Sequence, residues 1–340
     1  MTGRVNWDVI EKWKQKEGSM AAIWEAYGLP DITDPVGHSY GVGVDVQPKW
    51  NIPDKIAVST TIVGSFYNKK ANPNHPITPD EIYQSAREAC AAGAPIVHIH
   101  VRDDDGYNFL DYDRFHQVID PLREEFPDVW FDGCMVPMNG AHEWDTMIRL
   151  LKEGVLDSTP INTTATYCGD SLFCKPPHVM IEKTRICQEL GIVPQIAVYC
   201  DGDIANADRY LIKTGLLKKP YHFLILPNLP GGSPMPNPKG MVDSLMHMSN
   251  RIMEIDPDTV LMVCAAGRAS SYLATFAALL GYHVRVGMED TVWKWPHKDL
   301  KIENNAKHFL MFKELLGILG REVATADEYR QMLGLPSKNK

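Results

Sequence analysis

Short runs of β-branched and aliphatic residues alternate along the chain with longer stretches whose apolar positions recur every three to four residues. The short runs are IAVSTTIV (56–63), PIVHIHV (95–101), VWFDGCM (129–135), STPINTT (158–164), IVPQIAVY (192–199), YHFLILP (221–227), TVLMVCA (259–265) and HVRVGME (283–289). Helical periodicity fills the intervals 79–92, 111–125, 142–154, 177–190, 203–214, 240–254, 269–280 and 301–319. Thr78 followed by Pro79 reads as an N-cap and first turn. The run at 158–164 is the least regular, because Pro160 lies inside it. Eight strands, each followed by a helix, close a barrel more naturally than they fill an open sheet. The expected fold is therefore α/β, a (β/α)8 TIM barrel.

Residues 1–54 do not share this rhythm. An amphipathic stretch over 7–27 is followed by a turn-rich segment, and Trp7, Trp13, Trp24 and Trp50 are costly to leave in water. This predicts an N-terminal extension packed on the barrel or on a neighbouring subunit, with residues 55–340 forming the catalytic barrel. A last helix over 324–333 should pack against the barrel or an oligomeric neighbour.

Composition narrows the class. The 34 basic and 43 acidic residues leave a net charge of −9, which repels nucleic acid. No run of 18 apolar residues offers a membrane span, and the N-terminus lacks the pattern of a signal peptide. Seven cysteines, an odd number without CxxC spacing, read as reduced thiols, so a cytoplasmic protein is expected.

In such a barrel the reacting groups sit at the C-terminal ends of strands. At the end of the second strand, VHIHVRDDDG puts His98 and His100 on one face by the period of two. A lone strand-end histidine is usually a hydrogen-bonded polar residue, whereas a His-x-His pair between apolar neighbours has the spacing of metal ligands. At the end of the eighth strand, VRVGMED puts Arg285, Gly287 and Glu289 on one face. Glu289 completes two histidines and a carboxylate, a catalytic zinc pattern with open positions that also admits Mn2+, Fe2+ or Co2+. Arg285 is either an internal ion-pair partner or an anchor for a carboxylate. It lies about 13 Å from Glu289 along an extended strand, so Gly287 or its own length must close the gap. Asp290 becomes a general base if the strand end turns it inward, and otherwise it is a solvated loop carboxylate. The loop LPNLPGGSPMPNP (226–238), with Gly231 and Gly232, is suited to cover the site, and AAGRAS (265–270) could present backbone N–H groups to an anion.

The stretch ITPDEI…AREACAAGAPIVHIHVRDDDG, the loop LPNLPGG and the strand end VRVGMED together resemble the β-keto acid cleavage enzymes (BKACE), over residues 55–335. The resemblance implies a zinc-bound barrel, a homo-oligomer (dimer or tetramer), and a reaction of a small-molecule β-keto acid with acetyl-CoA that yields an acyl-CoA and acetoacetate. His98, His100 and Glu289 match the family's zinc ligands, and Arg285 and Asp290 its catalytic pair. Other positions depart from the pattern. Phe66 stands where an acidic residue is usual and Cys134 where a serine is. Pro160 replaces a threonine before the matching Asn162, and Gln195 and Ala197 replace two glutamates. Phe66, Cys134, Asn162, Gly231 and Gly232 are thus the candidate substrate-binding residues, in a pocket expected to take a larger or more apolar substrate. Phe66, Tyr67, Trp130, Trp293 and Trp295 could line it, though core packing is the commoner role of such residues. The alternative is a CoA-independent retro-aldol-type lyase that releases a small aldehyde such as formaldehyde from an aromatic hydroxy compound. A third reading is a ligand-binding barrel with a purely structural metal.

Overall fold

The computed structural model describes residues 5–17, 49–137, 140–168, 171–227 and 237–338. The chain divides into two compact units, Met1–Ile52 and Pro53–Lys340. In the first unit the described helix is Trp7–Glu17, and the Asn6 side chain accepts from the Val9 N–H at 3.4 Å in its first turn. The rest of the stretch expected to be helical, and Trp24, lie outside the described residues.

The second unit is a closed parallel barrel whose strands neighbour one another in chain order. They are β1 (Val58–Thr61), β2 (Ile96–Ile99), β3 (Trp130–Gly133), β4 (Ser158–Asn162), β5 (Val193–Val198), β6 (His222–Ile225), β7 (Val260–Val263) and β8 (His283–Gly287). The principal helices around them are α1 (Pro79–Ala91), α2 (Tyr112–Glu125), α3 (Ala141–Lys152), α4 (Pro177–Glu189), α5 (Asp201–Ala207, continued by a π-helical turn), α6 (Pro238–Ile255), α7 (Ser270–Leu280) and α8 (Asn305–Ile318). All eight runs read as strands from periodicity form barrel strands. Outward residues such as Val97, Ile99, Phe131, Phe223 and Val286 join the core beneath the helices. The expected start of α1 is a full capping box: Thr78 Oγ1 accepts from Glu81 N at 3.3 Å and Glu81 Oε2 accepts from Thr78 N at 3.1 Å.

Pro160 does not break β4. The ladder to β3 ends at Ser158, two residues before the imino acid, whereas pairing with β5 runs along all five residues. After β4 the chain inserts an antiparallel hairpin, Ala165–Cys168 with Ser171–Cys174, which periodicity did not reveal. The last helix, α9 (Ala326–Met332), closes the N-terminal end of the barrel. Its Tyr329 is buried against Trp130 with ring centroids 5.4 Å apart and hydrogen-bonds His222 Nε2 at 2.8 Å. Trp130 therefore belongs to the barrel base, and its indole N–H donates to Ser158 Oγ at 2.8 Å. The expectation that it could line a substrate pocket fails, because it stands at the start of β3, at the opposite end from the candidate site.

Candidate functional site

Strand register assembles the site before any side chain is considered. His98 on β2 sits beside Thr61 on β1 and Asp132 on β3, and Thr61 in turn sits beside Gly287 on β8. Three neighbouring strands and the closing one thus deliver their polar ends to a single layer.

His98 Nδ1 donates to Asp132 Oδ2 at 2.9 Å, and His100 Nδ1 donates to Asn108 Oδ1 at 2.8 Å. Each of these bonds fixes a ring with its Nε2 lone pair facing inward. Opposite them stands Glu289, with Oε2 3.1 Å from His98 Nε2 and Oε1 3.2 Å from His100 Nε2. Both Nε2 atoms and Glu289 Oε2 are buried with no hydrogen-bond partner. Three orphaned donor atoms converging in this way fit a divalent ion. A tetrahedral zinc with bonds of about 2.0–2.1 Å spaces its ligands roughly 3.3 Å apart, close to the separations seen. Among the described residues this is the group of His, Cys, Asp or Glu side chains with metal-ligand spacing.

The strand end resolves the gap between Arg285 and Glu289. Gly287 has φ +148°, and the turn that follows brings Asp290 N to Gly287 O at 3.2 Å. A Cβ at Gly287 would lie 2.1 Å from the Thr61 carbonyl oxygen, and one at Gly64 would lie 2.0 Å from Glu289 Cγ. Both positions need glycine for the carboxylates to approach. Arg285 Nη2 then donates to Glu289 Oε1 at 2.6 Å and to Asp290 Oδ1 at 2.7 Å, and its Nε donates to Asp290 Oδ2 at 3.0 Å. Thr61 Oγ1 donates to Asp290 Oδ2 at 3.2 Å. The turn brings Asp290 inward, where it lines the same cavity as His98, His100 and Glu289.

Burial alone would favour the protonated form of Glu289, but Arg285, His98 and His100 override it and hold the carboxyl far below its ordinary range. Asp132, fully buried, is likewise held low by His98 and Arg285 against the desolvation penalty. Burial pushes the Cys134 thiol up to about 11. Tyr67 is pushed up to about 12 by burial and by the neighbouring Asp290.

These groups open into a cavity of about 680 Å³ whose walls include Phe66, Cys134, Asn162, Tyr199, Leu224, Leu226 and, from the hairpin, Leu172, Phe173 and Lys175. Of the sequence candidates, His98, His100, Glu289, Arg285, Asp290, Phe66, Cys134 and Asn162 are brought together here, and Ala197 also faces the cavity. Gln195 is buried lower in the barrel, against His222 at 3.4 Å. Gly231 and Gly232 lie outside the described residues. Trp293 has Arg268 and Lys301 against its ring and is not among the residues lining the cavity. In the AAGRAS segment, Gly267 N–H is already committed to Asp290 O at 2.7 Å.

Sequence reasoning missed Asp132, Asn108, Thr61, Tyr199 and Lys175. A polar residue in mid-strand, Asp132 between Phe131 and Gly133, was the available signal. Thr61 depends on strand register, and the others on where the chain runs after a strand ends. Arg102, the arginine of the HxHxR motif, is buried with its guanidinium on the carbonyls of Gly64 and Gly106, tying the loops after β1 and β2 together.

Fold and site define a (β/α)8-barrel enzyme with its polar groups gathered at the C-terminal mouth. The family model described as beta-keto acid cleavage enzyme (BKACE) matches residues 55–335, and the chain belongs to that family. It is 33% identical over 285 residues to the 3-keto-5-aminohexanoate cleavage enzyme of Fusobacterium nucleatum subsp. nucleatum, covering 83% of this chain and 98% of the relative. It is 27% identical over 281 residues to the 3-oxoadipate:acetyl-CoA acetyltransferase of Cupriavidus necator, covering 82% of this chain and 95% of the relative. Among solved structures, apo ObcA shares the fold with a TM-score of 0.65 and 19% identity, over 77% of this chain and 66% of that one.

Proposed function

We propose that this enzyme is a zinc-dependent β-keto acid cleavage enzyme that converts a β-keto acid and acetyl-CoA into an acyl-CoA and acetoacetate. The observation that carries the reading is the convergence of His98 Nε2, His100 Nε2 and Glu289 Oε2 beside the Arg285–Asp290 pair on the wall of one cavity. His98, His100 and Glu289 would hold a divalent ion, which would supply Lewis-acid polarisation of a carbonyl oxygen. In this reading Asp290 takes the proton from the carbon between the keto and carboxylate groups, the carbon that attacks the thioester. Arg285 and Thr61 fix both Asp290 oxygens, so the base is oriented before substrate arrives. Arg285 also bonds Glu289, which keeps that carboxylate ionised and committed to its ligand position.

Phe66, Phe173, Leu172, Leu224 and Leu226 around a cavity of about 680 Å³ support a substrate larger or more apolar than the family's short, polar keto acids. Among relatives, the names that include acetyl-CoA favour the CoA-dependent reaction over a CoA-independent retro-aldol lyase.

The test is incubation of zinc-loaded protein with acetyl-CoA and a panel of β-keto acids, with acyl-CoA and acetoacetate read by mass spectrometry. Acyl-CoA should form with at least one acid, and chelation should abolish it. No acyl-CoA across the panel sinks the proposal, and aldehyde release from aromatic hydroxy compounds without CoA would install the retro-aldol reading instead.

A further inference from the structure

The hairpin after β4 carries a cation that the reaction as proposed does not use. Lys175 N–H donates to Thr164 O at 2.9 Å, closing the base of the hairpin next to the Ala165–Cys174 pair. Its side chain lines the catalytic cavity and also an adjoining recess of about 320 Å³ between α3 and α4. The two spaces meet at Pro137, Pro160, Asn162, Cys174 and Lys175.

Half-buried ammonium groups ordinarily have a carboxylate partner. Among the described residues none lies within ion-pair distance of Lys175. Its contacts are a long hydrogen bond to Pro137 O at 3.4 Å and the Phe173 ring, whose centroid is 5.3 Å away. The neighbouring lysine of the recess, Lys183, is in a different state: its Nζ is spent on Met135 O at 2.8 Å, Pro160 O at 2.9 Å and Thr159 Oγ1 at 3.3 Å. Among the described residues, the titratable and charged groups around Lys175 are Cys134 after β3, Cys174 on the hairpin, Glu143 on α3 and Lys183 on α4. Burial lowers the proton affinity of Lys175 although Cys134, Cys174 and Glu143 act the other way. Cys134, Lys175, His98, His100 and Glu289 line the same cavity.

We propose that Lys175 is a substrate-binding residue whose ammonium receives a carboxylate of the keto acid. This rests on the keto acid reading above and deepens it. The hydroxyls that Cys134 and Pro160 lack are replaced, on this account, by one cation delivered from the hairpin. An incoming carboxylate provides the partner that the described residues do not, and a neutral ketone or ester gains nothing from it. The carboxylate has two sources, the one beside the cleaved bond or a second one at the far end of a dicarboxylic substrate.

Calorimetric titration of the zinc-loaded full chain without CoA separates these, using 3-oxohexanoate, 3-oxoadipate and the methyl ester of 3-oxohexanoate as probes. Lys175→Ala should weaken acid binding roughly 10- to 100-fold and leave the ester unchanged, while Lys175→Arg should restore most of the affinity. Wild-type affinity for the acids should fall with rising pH as the ammonium loses its proton, and the Lys175→Arg variant should not show that fall. A loss for both acids assigns the shared carboxylate, and a loss for 3-oxoadipate alone assigns the terminal one. Acid binding by Lys175→Ala within about twofold of wild type, or an equal loss for the ester, overturns the proposal while leaving the keto acid reading standing. Failure of the wild type to bind either acid overturns both.

Discussion

Asp132 touches no position where substrate would sit, yet it decides how His98 presents itself. Its carboxylate holds Nδ1–H at 2.9 Å, which leaves Nε2 as the lone pair facing Glu289. Asp132→Ala should lower metal affinity roughly 10- to 100-fold in chelator competition. Asp132→Asn, whose carbonyl oxygen can still accept from Nδ1–H, should keep most of it. Equal affinity in the alanine variant would show that the ring is held by packing alone. The HxH spacing was legible because the period of two is a local property of strands. Asp132 was not, because its meaning depends on register with the neighbouring strand, where it faces His98 across β2 and β3.

Among the elements, α9 and the hairpin show two ways a chain can add to a barrel. α9 was expected to pack on the barrel or on a neighbour, and it plugs the base with Tyr329, Leu333 and an Arg330 ion pair to Asp157 at 2.9 Å. Tyr329→Ala should cost about 3–5 kcal/mol in chemical denaturation, since it empties a buried ring site and leaves His222 Nε2 with only the long 3.4 Å contact to Gln195. Activity per folded molecule should be retained, because the plug and the cluster of His98, His100 and Glu289 lie at opposite ends of the barrel. A loss of turnover without a loss of stability would contradict that division. The hairpin escaped notice for a physical reason: its strands pair only with each other, and their exposed and half-buried positions carry no buried apolar stripe.

At the scale of the whole molecule, burial imposes a pH dependence. Desolvation lowers His222 to about 3 and His283 and His308 to about 4, so all three are neutral in the folded chain near pH 7. Unfolded, they would bind protons below about 6.5. The stability each contributes is fully present above that value and is lost as pH falls from it toward the folded value, at roughly 1 kcal/mol per pH unit per group. Denaturation midpoints should therefore drop steadily between pH 6.5 and 4, and the slope should flatten in His308→Gln. A flat profile over that range would show that these imidazoles are not the groups responsible. The alternation of β-branched runs and helical stretches by itself determined the eight-stranded barrel, and the two motifs at the ends of β2 and β8 singled out His98, His100, Glu289, Arg285 and Asp290, which line one cavity. Both are local patterns, in which period and spacing already say which way a side chain faces. Tertiary structure alone decided that Gly287 turns Asp290 back onto Arg285, that Asp132 and Asn108 orient the imidazoles, that Trp130 belongs to the base, and that a hairpin brings Lys175 over the cavity. Each of these is a meeting between segments distant in sequence or a turn at a strand end, and periodicity carries no information about where a chain goes once the period stops.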